Sequence, residues 1–163
     1  MSIALNEPAP RTGNPGLTAE LAKVLARIGR GLRYRTRAVR EALEVTPSEV
    51  DLLRLLDRKP GIRVQDAAVE LGVASNSVST LVGQLTRAGL VQRVSDPLDG
   101  RAAHLWLTPQ SEAWVTRLGS AREAAIGRAL VSLDDADRAA IEAAVPALVR
   151  LAKAIASTGS QAQ

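Results

Sequence analysis

The sequence predicts a mainly α-helical chain with one small β-hairpin set between long helices at either end. Three observations predict it. Apolar residues recur at steps of three and four along most of the 163 residues, the spacing that gives a helix one buried face. Two short stretches, 91–95 and 104–107, alternate as strands do, and the turn-rich run Asp96-Pro-Leu-Asp99-Gly100-Arg101 lies between them. Apolar residues are 46% of the chain while Phe is absent and aromatics are 2%, so the core must be built from Ala, Leu and Val, as packed helices allow.

Taken in order, residues 1–16 hold Pro8, Pro10, Pro15, Gly13 and Gly16 without an apolar run and read as a flexible arm. From Leu17, the apolar positions Leu21, Leu25, Ile28, Leu32, Val39 and Leu43 predict a first helix within 17–46, about seven turns long and weakened by Gly29 and Gly31. One small core cannot cover so long a helix, which points to packing on a second copy. Thr46-Pro47-Ser48-Glu49 then has Thr to cap, Pro at the first helical position and Glu to complete a capping box. The helix it starts runs to about residue 57 with Val50, Leu53 and Leu56 inward, and Lys59-Pro60-Gly61 stops it. Ile62 is expected to form a short strand against the hairpin.

Residues 64–88 are the centre of the chain. They read as two short helices joined at Gly72, with Ala67, Ala68 and Leu71 facing Val78, Leu81, Val82 and Leu85. Close crossing needs a small residue at the contact, which Ala68 supplies, and the corner needs tolerance of positive φ, which Gly72 supplies. That is a helix-turn-helix pattern. With Val78 inward, Asn76, Thr80, Gly83 and Arg87 point outward, flanked by Ser75, Ser77, Ser79 and Gln84. A polar face free of acid can enter a major groove and read base edges; an ordinary solvated face is the competing reading.

Gly89 ends the second helix at the C′ position. The hairpin that follows makes the unit a winged helix, with Arg93 on its first strand and Asp99 and Arg101 near its tip. Arg101 suits a narrow minor groove, where a guanidinium gains from the negative potential, and Asp99 suits orienting an arginine. An ordinary surface pair of Asp99 and Arg101 is the alternative.

Thr108-Pro109 repeats the cap-plus-proline start. The helix that follows should run to about residue 130 with Trp114, Leu118, Ala121, Ala125 and Ala129 on one face. Ser132-Leu133-Asp134 breaks it, and Asp134, Asp135 and Asp137 place negative charge at the start of the last helix, where the helix dipole favours it. That helix, about 135–156, shows Ile141, Val145, Leu148, Ala152 and Ile155 at alternating steps of four and three, an apolar seam bent at Pro146. Residues 158–163 are polar and read as a disordered tail.

The run Leu85-Thr-Arg-Ala-Gly89-Leu90-Val91-Gln-Arg93, then Asp96-x-x-Asp99-x-Arg101, then Leu107-Thr108-Pro-Gln-Ser resembles the multiple-antibiotic-resistance regulator (MarR) family over residues 17–156. The wing signature is the specific part. Two departures stand out: Arg63 where a capping Ser or Thr is common, and Gly100 where a second basic residue is common. The resemblance implies a winged helix-turn-helix domain at 47–110 between dimerisation helices at 17–46 and 111–157. It further implies a homodimeric, sequence-specific regulator of the repressor type that binds double-stranded DNA at a pseudo-palindromic operator. Many members of the family release DNA on binding a small aromatic or phenolic ligand. The resemblance places such a ligand between the dimer helices and the winged helix, near Tyr34 and Trp114, with core packing as the competing role for Trp114.

Composition narrows the remaining classes. Cys is absent and His104 is the only histidine, which argues against disulfides, thiol switching and an all-protein zinc site. No Gly-rich phosphate loop, nucleophile–base pair or metal-ligand spacing is present, so neither an enzyme nor a cofactor is expected. With no signal peptide and no long apolar run, a cytoplasmic protein without membrane contact is expected. The net charge of +4 is carried by residues 1–46, which hold eight basic and four acidic residues, while 47–110 balance at seven each and 111–163 at six each. The neutral winged helix leaves a second class open, a protein-interaction module without operator recognition.

Overall fold

A computed structural model describes residues 14–95 and 103–158. The reading of 1–16 as an arm falls mostly on residues outside these, as does the tail beyond residue 158. Asn14 already belongs to a helix: its side chain accepts from the Gly16 amide at 3.1 Å and caps α1 (Pro15–Arg35).

The seven-turn first helix is in fact two helices. α1 stops at Thr36 and α2 (Arg37–Glu41) follows it. Thr36 is buried, sits at φ −103° and ψ 9°, and donates from both Oγ1 and its amide to the Leu32 carbonyl, at 2.8 and 3.0 Å. A threonine hydroxyl that bonds back one turn bends a helix, and here the helix is interrupted at that residue. Hydrophobic spacing carries no trace of this because the apolar positions resume at Val39.

α3 (Pro47–Arg58) starts on the predicted capping box: Glu49 accepts from the Thr46 amide at 2.7 Å and its own amide donates to Thr46 Oγ1 at 3.3 Å. It is the central helix. Val50, Leu53 and Leu56 are buried as the spacing predicts, and so are Leu52 and Leu55, because α3 is enclosed by α4, α5, α6 and the sheet.

β1 (Ile62–Arg63) pairs with β3 (Ala103–Leu107), which also pairs with β2 (Val91–Ser95), giving an antiparallel sheet in the order β1-β3-β2. Between β1 and β2 lie α4 (Val64–Leu71) and α5 (Ser75–Arg87). Gly61, at φ 76°, brings its backbone under Trp106; a Cβ there would lie 2.8 Å from the indole. Its carbonyl accepts from His104 Nδ1 at 2.7 Å, so this histidine fastens the β1 turn to β3.

α6 (Pro109–Val131) starts on Thr108 and Ser111, which cap each other. Both residues also reach back to the end of α5: Thr108 Oγ1 donates to the Gly89 carbonyl at 2.9 Å and Ser111 Oγ to that of Leu90 at 2.6 Å. α7 (Asp135–Thr158) makes little contact with the rest of the chain. Its acidic start is accounted for locally: Asp134 accepts from the Asp137 amide at 2.8 Å and Asp135 pairs with Arg138. Ile141, Val145, Leu148, Val149 and Ile155 remain exposed on it, as do Leu17, Val24, Leu25 and Ile28 on α1.

Candidate nucleic-acid interface

α4 and α5 meet as the sequence predicts. Ala67 and Ala68 are buried against Val78, Val82 and Leu85, and Gly72 turns the corner at φ 66° in the left-handed region, its amide reaching the carbonyls of Ala68 and Val69. At the far end of α5, Gly89 has φ 70°, and the Leu90 amide donates to the Leu85 carbonyl at 2.8 Å. Both ends of α5 are therefore fixed, and Thr108 and Ser111 hold the second of them to α6.

Burial of Val78, Val82 and Leu85 turns the other side of α5 outward. Ser75, Asn76, Ser77, Ser79, Thr80, Gln84 and Arg87 are all exposed, with no acid among them. Glu70, on the neighbouring helix, is held by Lys59 at 2.6 Å, which neutralises the acid nearest in sequence. Three side chains fold back on their own helix, Thr80 Oγ1 donating to the Asn76 carbonyl at 3.0 Å. Asn76 Oδ1 accepts from the Ser77 amide at 2.7 Å, and Arg87 Nε donates to the Gly83 carbonyl at 3.1 Å. A bidentate contact from Asn76 to an adenine therefore requires its amide to rotate off the helix end.

Ala74 occupies the N-cap of α5 and supplies no side-chain acceptor, so the first turn offers backbone donors and the positive end of a helix dipole to an anion. Arg63 likewise occupies the N-cap of α4 and makes no side-chain capping bond there, the consequence of the residue that departs from the family pattern. A groove of about 490 Å³ runs beside α5, lined by Ser48, Asp51, Leu71, Val73, Ser77, Thr80 and Leu81. Ser48 was not among the sequence candidates; the signal was its place at the second position of α3, two residues after the Thr46 cap.

Arg93 is exposed on β2, opposite Leu105 of β3. Asp99 and Arg101 lie outside the described residues. Tyr34 and Trp114 are placed very differently. Tyr34 is 72% exposed on α1, whereas Trp114 is fully buried and its Nε1 donates to the Val39 carbonyl at 2.7 Å. Among the described residues no group of three or more His, Cys, Asp or Glu could hold a metal ion, and no helix is long and apolar enough to cross a membrane.

Comparison with known proteins agrees with this geometry. The MarR family model matches residues 43–102, from just after α2 to just before β3. An HTH-type transcriptional repressor of Mycobacterium tuberculosis is 30% identical over 115 residues, 71% of this chain and 83% of the relative. The chain belongs to the MarR family. The transcriptional regulator HosA of Escherichia coli is 32% identical over 73 residues, 44% of the chain and 53% of HosA. In three dimensions the MarR fold extends to the terminal helices: a MarR family protein from Bacillus stearothermophilus superimposes with a TM-score of 0.72 at 23% identity, covering 87% of this chain and 99% of that one.

Proposed function

We propose that this MarR-family chain is a homodimeric transcriptional repressor that reads a pseudo-palindromic operator through α5 and is relieved by a small aromatic or phenolic ligand. The observation that carries the DNA reading is the outward face of α5, polar, acid-free and clamped at both ends. A helix held this rigidly presents amides and hydroxyls to base edges with little ordering cost. The exposed apolar faces of α1 and α7 supply a dimer interface, and two-fold symmetry then places the two copies of α5 in successive major grooves. The relatives named as repressors and regulators support the direction of control. Residues of the wing reach the flanking minor groove, Arg101 foremost. The cytoplasm is where such a protein meets its DNA.

The test separates side chains that read sequence from those that hold the backbone. Arg101→Ala should weaken binding to operator and random DNA alike and reduce the slope of log affinity against log salt by about 0.9 for each phosphate that is no longer neutralised. Asn76→Ala should act on the operator, costing about 1–3 kcal/mol, the size of one bidentate hydrogen-bonded pair with a base. Fluorescence anisotropy on both DNAs over a salt series measures both effects. Equal losses on the two DNAs for Asn76→Ala would remove it from the base-reading set.

A further inference from the structure

One hollow belongs neither to α5 nor to the exposed faces of α1 and α7. It lies where the last turn of α3, the turn into β1, β3 and the start of α6 meet, and measures about 250 Å³. Leu56 and Leu107 line it as buried side chains, whereas Asp57, Trp106, Glu112 and Thr116 line it from exposed positions. Tyr34 and Trp114 are not among its lining residues.

Trp106 is 42% exposed on β3 but is not free to swing. Gly61, at φ 76°, brings its backbone against the indole so closely that a Cβ there would lie 2.8 Å from the ring. The indole is thus braced on one side and open on another. Asp57 and Glu112 are the two charged residues of the hollow. Among the described residues, neither takes part in an ion pair or a side-chain hydrogen bond. Asp57 also belongs to the last turn of α3, the end at which the helix dipole disfavours an anion. A cation in the hollow meets both carboxylates and the ring at once.

We propose that this hollow binds a small organic cation, an alkylammonium head group whose charge faces Asp57 and Glu112 while its carbon atoms lie on Trp106, Leu56 and Leu107. Tryptophan attracts cations more strongly than any other aromatic side chain. A bare divalent ion is poorly served, since it takes about six oxygen ligands or more and no three His, Cys, Asp or Glu group together to hold a metal among the described residues. Sites for drug-sized ligands occupy about 300–1,000 Å³, so the smaller hollow suits a head group. This cation differs in charge and in place from the aromatic or phenolic ligand proposed above. Its binding does not rest on the DNA reading and is measured without DNA.

The full chain is titrated calorimetrically with choline chloride and, separately, with its uncharged isostere 3,3-dimethylbutanol and with magnesium chloride, at ionic strength held constant with sodium chloride. A saturable heat with choline and none with the isostere is expected, together with a change in tryptophan fluorescence that Trp106→Phe removes. Asp57→Asn and Glu112→Gln should each weaken binding about 2- to 5-fold, the range for one exposed charge pair, and the double variant about 10-fold. Trp106→Leu should weaken it by a similar factor to either, and Trp106→Phe, which keeps a ring, should recover part of the loss. A merely structural role for Trp106 lowers Tm without that ordering. Because both carboxylates are exposed and unpaired, their variants test the site even if Trp106→Leu does not fold. The proposal is overturned if choline gives no saturable heat, if the isostere binds as well, or if the carboxylate variants bind choline as the native chain does. Saturable heat with magnesium alone marks an acidic surface without a site for an organic cation and also overturns it.

Discussion

Replacing Trp114 with alanine should destabilise the chain by about 3–5 kcal/mol, the range for emptying a large aromatic site in a core. Trp114 is fully buried on α6, and its Nε1–H reaches the Val39 carbonyl of α2 at 2.7 Å. The indole therefore fills space between the two helices and satisfies a carbonyl that the broken first helix leaves over. Truncation removes both contributions, and the unpartnered carbonyl adds to the loss. Trp114→Phe should recover most of the packing and lose only the hydrogen bond, about 1–3 kcal/mol. Urea unfolding of the three proteins at one concentration measures the series. A Trp114→Ala chain as stable as the native one would remove the packing role and return Trp114 to the ligand-binding candidates.

Leu148→Lys should abolish the proposed dimer at micromolar concentration. Ile141, Val145, Leu148, Val149 and Ile155 are between 40% and 63% exposed in the single chain, although α7 offers them in a seam-like register. Burying one leucine contributes about 1.5–3 kcal/mol, and a two-fold interface loses that contribution twice, so the dimer should weaken by at least about 3 kcal/mol, or over 100-fold. The unpaired ammonium groups add a desolvation cost. Sedimentation should show monomer or aggregate, and an unchanged dimer would take this face of α7 out of the interface.

Local chemistry makes most of this fold legible in the sequence. The caps at Thr46 and Thr108 and the glycine corners at Gly72 and Gly89 each depend on neighbours within a few residues, and each forms as expected; the strand at Ile62 also forms, although its partner Leu105 is distant in sequence. The break at Thr36 is not legible, because a threonine inside a helical pattern bends the chain only when its environment favours the side-chain bond to Leu32. Leu52 and Leu55 escape for a related reason: one-face periodicity describes a helix with one covered side, and α3 is covered on several.

The outward face of α5 is readable residue by residue, since fixing Val78 inward fixes the others. That Asn76 and Arg87 bond to their own helix is not, being a matter of side-chain torsions.

We propose that two copies of α5 read DNA together. Its most direct test is selection of bound duplexes by the full chain from a random-sequence library at physiological salt, followed by sequencing. An inverted repeat whose half-site centres lie about one helical turn apart should be enriched, and the Leu148→Lys chain should abolish that enrichment. Unenriched DNA, or a single half-site recovered equally well by both chains, would contradict it.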